Sequence, residues 1–238
     1  WVDGEIRGQG RAVFPDGSIY EGTWLDGKIT GQGVMKYANG MVYEGSFRNA
    51  LHHGRGTMTA PTGYIYEGGW VNGVKEGSGT LTYPDGSVYV GEFRGDLANG
   101  QGKITYPDGS TYEGTWVDGV IEGEGTATYS NGITYEGGFS NARNNGYGVM
   151  TYADGYRYEG EWQDGQRHGQ GTATYPDGTV YTGQFVDGQR HGTGEITMAD
   201  GFTYKGEWKN GEIDGQGVAT YTNGDVYEGT FRDGKREG

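Results

Sequence analysis

The sequence predicts an all-β protein: an elongated single-layer antiparallel β-sheet of ten consecutive β-hairpins, twisted and bent along a row of glycines. Three observations carry this expectation. Tyrosine recurs at Tyr20, Tyr43, Tyr66, Tyr89, Tyr112, Tyr135, Tyr158, Tyr181, Tyr204 and Tyr227, always 23 residues apart. Each is followed two residues later by glycine and four residues later by a large aromatic, Trp and Phe alternating from Trp24 to Phe231. Most of the 52 glycines stand in four columns at the same step, beginning at Gly8, Gly10, Gly17 and Gly22. A fixed period of this kind marks a repeat architecture, in which one unit is copied along the chain.

Each unit reads as a hairpin. In residues 171–185, GTATYPDGTVYTGQF, two short alternating runs flank a Pro-Asp-Gly turn. Pro presets φ, Asp tolerates the next position, and Gly178 supplies the left-handed residue of a three-residue loop. No stretch carries a helical period, and each glycine would cost a helix about 1 kcal/mol. The hairpins are expected over 8–24, 31–47, 54–70, 77–93, 100–116, 123–139, 146–162, 169–185, 192–208 and 215–231, in one array spanning 1–238. A loop of the Val-Asp-Gly-Gln-Arg-His kind leads from each hairpin to the next. Twenty strands at about 4.8 Å spacing predict a ribbon roughly 95 Å long.

The turn sets the register. Centring it on Asp16 places Ala12 opposite Tyr20, Gly10 opposite Gly22 and Gly8 opposite Trp24. Pairing across the 25–30 loop then predicts Tyr20 opposite Met35, Gly22 opposite Gly33 and Trp24 opposite Gly31. One face gains four rows: Trp/Phe between glycines, a row of glycine alone, Tyr alternating with residues such as Met35 and Leu81, and a fourth row of mostly Tyr. The other face is polar. A single sheet needs a second layer to cover its apolar face. The glycine row supplies it by letting the sheet fold the Trp/Phe row over the Tyr row. Repeats three and nine replace the fourth-row Tyr by Ala60 and Met198 and gain Tyr64 and Phe202 across the turn, which keeps that row filled.

The residues that recur, Tyr-Glu-Gly-x-Trp followed by Asp-Gly-x-x-x-Gly-x-Gly at a 23-residue step, resemble the MORN (membrane occupation and recognition nexus) repeat over essentially the whole chain. The resemblance implies a non-enzymatic β-hairpin array used for protein–protein scaffolding, oligomerisation or membrane-proximal attachment, often beside a catalytic domain. Val90, Thr182 and Lys205 replace the motif Glu, and Ala50, Asp96 and Ala142 replace a loop Gly.

Composition narrows the function. With 18 basic and 32 acidic residues the net charge is −14, which argues against nucleic acid and against direct binding to anionic membranes. Little aliphatic content and high charge suggest disorder, but an aromatic fraction of 14% contradicts that. The chain has no cysteine, and so no disulfide or thiolate metal site. His53, His168 and His191 share one loop column, but repeat-equivalent positions lie about 10 Å apart and a metal needs converging ligands. The Glu column reads as solvated, and no nucleophile–base constellation or phosphate-cradling loop appears. We expect no catalytic residue, no metal and no cofactor.

The aromatic rows remain. Their main role is core, since the sheet has no other apolar material to bury. Their functional role is a groove of ring edges, with Trp70, Tyr89, Trp116, Tyr135, Trp162 and Tyr181 as partner-contacting residues for a protein helix or peptide. Aromatic ladders also suit flat sugars, so carbohydrate or cell-surface ligands are the alternative, beside a membrane-proximal accessory role for an enzyme outside this chain. Trp1 stands in the phase of Trp24 and Gly238 in the phase of Gly8, which predicts a segment of a longer protein. Its unprotected sheet edges predict homo-oligomers.

Overall fold

The computed structural model describes residues 3–238, so Trp1, used above to set the phase of the chain start, lies outside the described residues. The chain divides into two compact units, Trp1–Val120 and Ile121–Gly238. The described residues are all-β, with twenty-one strands and no helix. Within each unit every strand pairs antiparallel with the next in sequence, as β1 (Gly8–Val13), β2 (Ile19–Leu25), β3 (Lys28–Lys36) and β4 (Val42–Arg48) illustrate.

The Pro-Asp-Gly connection forms the expected three-residue loop. The Phe14 N–H donates to the Ser18 carbonyl at 2.8 Å, and the Gly17 N–H to the Phe14 carbonyl at 3.0 Å. Gly17 sits at φ 91°. Asp16 Oδ1 accepts the Ser18 N–H at 2.9 Å, and this bond holds the Asp16 carboxyl below its usual pKa. The register follows: Gly8 faces Trp24, Gly10 faces Gly22 and Ala12 faces Tyr20, while across β2 and β3 Tyr20 faces Met35 and Gly22 faces Gly33.

The connection between hairpins differs from the expected loop. Asp26 and Gly27 have φ of 49° and 73°, and Leu25 pairs directly with Lys28. Positive φ at both positions is a two-residue type I′ turn, whose twist matches that of its strands and which Asp-Gly and Asn-Gly favour. The strands therefore zip to the turn, and His53, His168 and His191 lie in strands rather than in a loop. The extra strand length is absorbed by a bulge between Gly22 and Trp24, so Trp24 faces Ile29 and not Gly31. Gly31, at φ 94°, supplies the left-handed residue of that bulge rather than seating a ring.

The aromatic second layer is present. Tyr20 lies flat over Gly33, where a Cβ would come within 2.5 Å of the ring, and its hydroxyl donates to the Thr23 carbonyl at 2.9 Å. Within each unit, a Trp or Phe such as Phe47, Trp70, Phe93, Trp162 or Phe185 then stands edge-on between its own Tyr and that of the preceding repeat. Phe47 contacts Tyr43 at 4.9 Å and Tyr20 at 5.3 Å, at 81° and 83°. Such pairs contribute about 1 kcal/mol each beyond burial. Four tryptophans add a bond to the glycine two residues beyond the one they face, as in Trp116 Nε1–H to the Gly102 carbonyl at 3.1 Å. Turns also tie repeats together: Ala50 N–H donates to the Ile29 carbonyl, and Gly73 N–H to that of His52, each at 2.8 Å.

Candidate functional site

The aromatic face is the candidate site, and its floor is closed. All six residues expected to line a groove are buried: Trp70, Tyr89, Trp116, Tyr135, Trp162 and Tyr181. The structure brings Tyr89 against Trp116 at 5.1 Å and Tyr135 against Trp162 at 5.4 Å. Trp70 packs instead on Tyr43 and Tyr66, and Tyr181 on Phe185 and Trp208. Burial pushes the Tyr89 and Tyr181 hydroxyls up to about 12 and raises that of Tyr135 further. These rings support a site; they do not present their faces to solvent.

Two rims border this floor, and the first reaches solvent. One is the fourth row beside the Pro-Asp-Gly turns, where Tyr106 is 39% and Tyr129 40% exposed. Tyr152, Tyr156 and Tyr175 pack edge-on or tilted along it at successive centroid distances of 5.2 Å. The replacements in repeats three and nine keep their place across the turn, with Ala60 N–H bonded to the Tyr64 carbonyl and Met198 N–H to that of Phe202.

The other rim is a column that the sequence reading missed. It stands two residues after each type I′ turn and opposite the Trp/Phe row, as Ile29, His52, Lys75 and Ala98 in the first unit and Asn144, Arg167, Arg190 and Ile213 in the second. Its chemistry varies from repeat to repeat; Ile29, Ala98 and Asn144 are buried and the other five half-buried. His52 stacks on Tyr43 at 3.8 Å, with Nε2 2.6 Å from the Tyr37 hydroxyl, and burial pushes its imidazole down to about 4. Lys75 Nζ lies 5.6 Å from the Tyr66 ring and 3.4 Å from Asp96 Oδ1. Arg190 lies 4.6 Å over Trp208. Reading Asp-Gly as a two-residue turn would have aimed this column inward.

Between the two rims of the first unit lies an apolar concavity of about 480 Å³, lined by Phe14, Ile29, Met35 and Tyr37. The neighbouring column faces the other way and caps turns. His53 Nδ1 accepts the Asn72 N–H at 3.3 Å and His191 Nδ1 the Asn210 N–H at 3.4 Å. Glu76 and Glu122 do the same for Gly95 and Asn141. The histidine column is thus one of several acceptor types serving a single backbone donor.

Solved structures with a likeness to the chain include the TCP domain of SAS-4 (dCPAP) of Drosophila melanogaster in complex with a proline-rich motif of Ana2 (dSTIL). It is 17% identical, with 65% of this chain and 85% of that one covered and a TM-score of 0.41. The TCP10 domain of Danio rerio CPAP is 17% identical, over 92% and 97% of the two chains, with a TM-score of 0.46. The same domain in complex with a Danio rerio STIL peptide is 18% identical over 92% of each, with a TM-score of 0.30. No curated protein sequence matches the chain significantly. The MORN repeat profile matches eleven consecutive segments, from residues 1–19, 20–42 and 43–63 through to 227–238. With that repeat matched from end to end, the chain belongs to the MORN repeat family.

Proposed function

We propose that the chain is a non-enzymatic scaffold that binds a protein partner as an extended segment or helix lying along the aromatic face, between the fourth-row rings and the variable column. One observation carries this reading: a fixed, closed aromatic floor supports one position per repeat that changes chemistry, from Ile29 through His52 and Lys75 to Ala98. Repeat arrays use such a surface to read a ligand one unit at a time. The exposed rings supply apolar area at low entropic cost.

The test uses rim residues. Trp116→Ala or Trp162→Ala would remove buried rings at a cost of about 4 kcal/mol, so loss of a partner would report loss of fold. Tyr129→Ala and Tyr175→Ala leave the floor intact. Pull-down with a wild-type bait should retain a protein that the double variant loses at unchanged melting temperature. Equal retention by both, or glycan-array binding without any protein partner, counts against the reading.

A further inference from the structure

Arg167 and Arg190 occupy consecutive positions of the variable column in the second unit, opposite Trp162 and Phe185. Both are half-buried. Arg167 Nη1 donates to the Tyr156 hydroxyl and Nη2 to the Gly188 carbonyl at 2.7 Å. Its guanidinium lies 5.5 Å from the Phe185 centroid. Arg190 Nη2 donates to the Gly211 carbonyl at 2.8 Å, with its guanidinium over Trp208. Both donate to the glycine carbonyl of the next type I′ turn, and Arg167 adds the bond to Tyr156.

Neither has a carboxylate within ion-pair distance among the described residues. Arg7, Arg11, Arg94, Arg157 and Arg232 all do, as does Lys75 in the same column. Among the described residues Arg48, Arg55, Arg143 and Arg236 also lack such a partner but are exposed, whereas Arg167 and Arg190 are half-buried against rings without counter-charge in a chain of net charge −14. A guanidinium has five N–H donors. Arg167 uses two for its own support and Arg190 one, so each keeps donors for an oxygen acceptor.

We propose that Arg167 and Arg190 read two carboxylates, three residues apart, on an extended acidic peptide running across the strands of the second unit. The spacing carries the register. Repeat-equivalent positions are two strands, or about 10 Å, apart. Three residues of a polyproline II segment rise about 9.3 Å, and three of a β-extended one about 10 Å. A residue step of three therefore keeps pace with the repeat, and successive carboxylates meet successive guanidiniums. Tyr152 and Tyr175 recur at the same step on the opposite rim, where they would hold the intervening apolar residues. Because both cations are held in place before binding, little ordering cost opposes the contact.

The inference deepens the proposed function and rests on it, and the experiment separates the two. A fluorescein-labelled twelve-residue peptide of repeated Glu-Pro-Pro is titrated by anisotropy against the full chain, with Lys-Pro-Pro, Ser-Pro-Pro and Glu-Pro-Pro-Pro peptides beside it. The last moves carboxylates to about 12 Å spacing. Expected results are preferential binding of Glu-Pro-Pro and about a tenfold loss for each of Arg167→Gln and Arg190→Gln. Arg190→Lys should lose less, and rising salt should weaken binding. Melting temperatures confirm that each variant is folded. Absence of Glu-Pro-Pro binding, equal affinity for the Lys peptide, or no effect of either glutamine variant overturns the carboxylate reading. Peptide binding that depends on Tyr175 but on neither arginine would overturn it while leaving the aromatic face as the docking site.

Discussion

The hydroxyl of Tyr89 donates to the main-chain carbonyl of Glu92, 2.8 Å away, which draws its ring flat across the paired glycines Gly91 and Gly102. The same bond recurs at Tyr43, Tyr66 and Tyr181. It makes the glycine row a seat for tyrosine, with both the strand pairing and the ring position depending on the missing Cβ atoms.

Gly102→Ala tests that seat. An added Cβ would stand 2.5 Å from Tyr89 Cε2, and the ring is held from above by Trp116. Overpacking of this kind should lower stability by about 3 kcal/mol in denaturant titration. Tyr89→Phe alone should cost about 1 kcal/mol through the lost hydrogen bond. The double variant should be less destabilised than the sum, since the hydroxyl is among the clashing atoms. Simple additivity would show that the two positions do not share this contact.

The type I′ turns contain two residues in a conformation that suits them poorly: Ala50 at φ 62° and Ala142 at φ 60°. Glycine stands at the equivalent Gly73 and Gly119. Ala50→Gly/Ala142→Gly should stabilise the chain by about 1 kcal/mol, since relief of the left-handed penalty outweighs the added freedom of the unfolded state. Ala98→Gly, at a buried strand position, should lower the melting temperature. An unchanged or lower melting temperature for the turn variant would count against the φ argument.

His52 makes stability depend on pH. Burial among Tyr43, Phe47 and Trp70 depresses its folded-state pKa to about 4, whereas the unfolded chain takes up the proton near ~6.5. The contribution is therefore full above ~6.5 and is lost as pH falls toward the folded value. The gap in melting temperature between wild type and His52→Asn should narrow as pH falls from about 7.5 to about 4.5. Parallel curves would sink the assignment.

The buried tyrosines set an alkaline limit. Burial raises Tyr43, Tyr66, Tyr89 and Tyr181 to about 12, against about 10 when unfolded. A raised folded-state pKa contributes stability that is complete below the unfolded value and lost as pH climbs through the folded one. Absorbance near 295 nm should show an early titrating class, then a late class of buried rings that ionises with cooperative loss of circular dichroism. A single titration step near pH ~10 would contradict the buried rows.

The period of 23, the Pro-Asp-Gly loop and the pairing of Gly10 with Gly22 and Tyr20 with Met35 were all legible in the residues, because a turn of known length fixes every partner near it. The aromatic second layer was legible as well, since only Tyr, Trp and Phe were available to cover an apolar face. The second connection was not read correctly. Asp26-Gly27 closes a two-residue turn inside the expected 25–30 loop, the form that Asp-Gly favours. That difference moved Trp24 from Gly31 to Ile29 and hid the variable column. Whether Trp116 or Tyr135 faces a partner or the core depended on how far the rings fold over the glycines. Alternation assigns a side chain to one face of a sheet, but its exposure is decided by the bulge that carries one row across the next. The repeat and its core chemistry thus follow from local sequence. The closed floor and the half-buried positions of Arg167 and Arg190 were decided by tertiary packing.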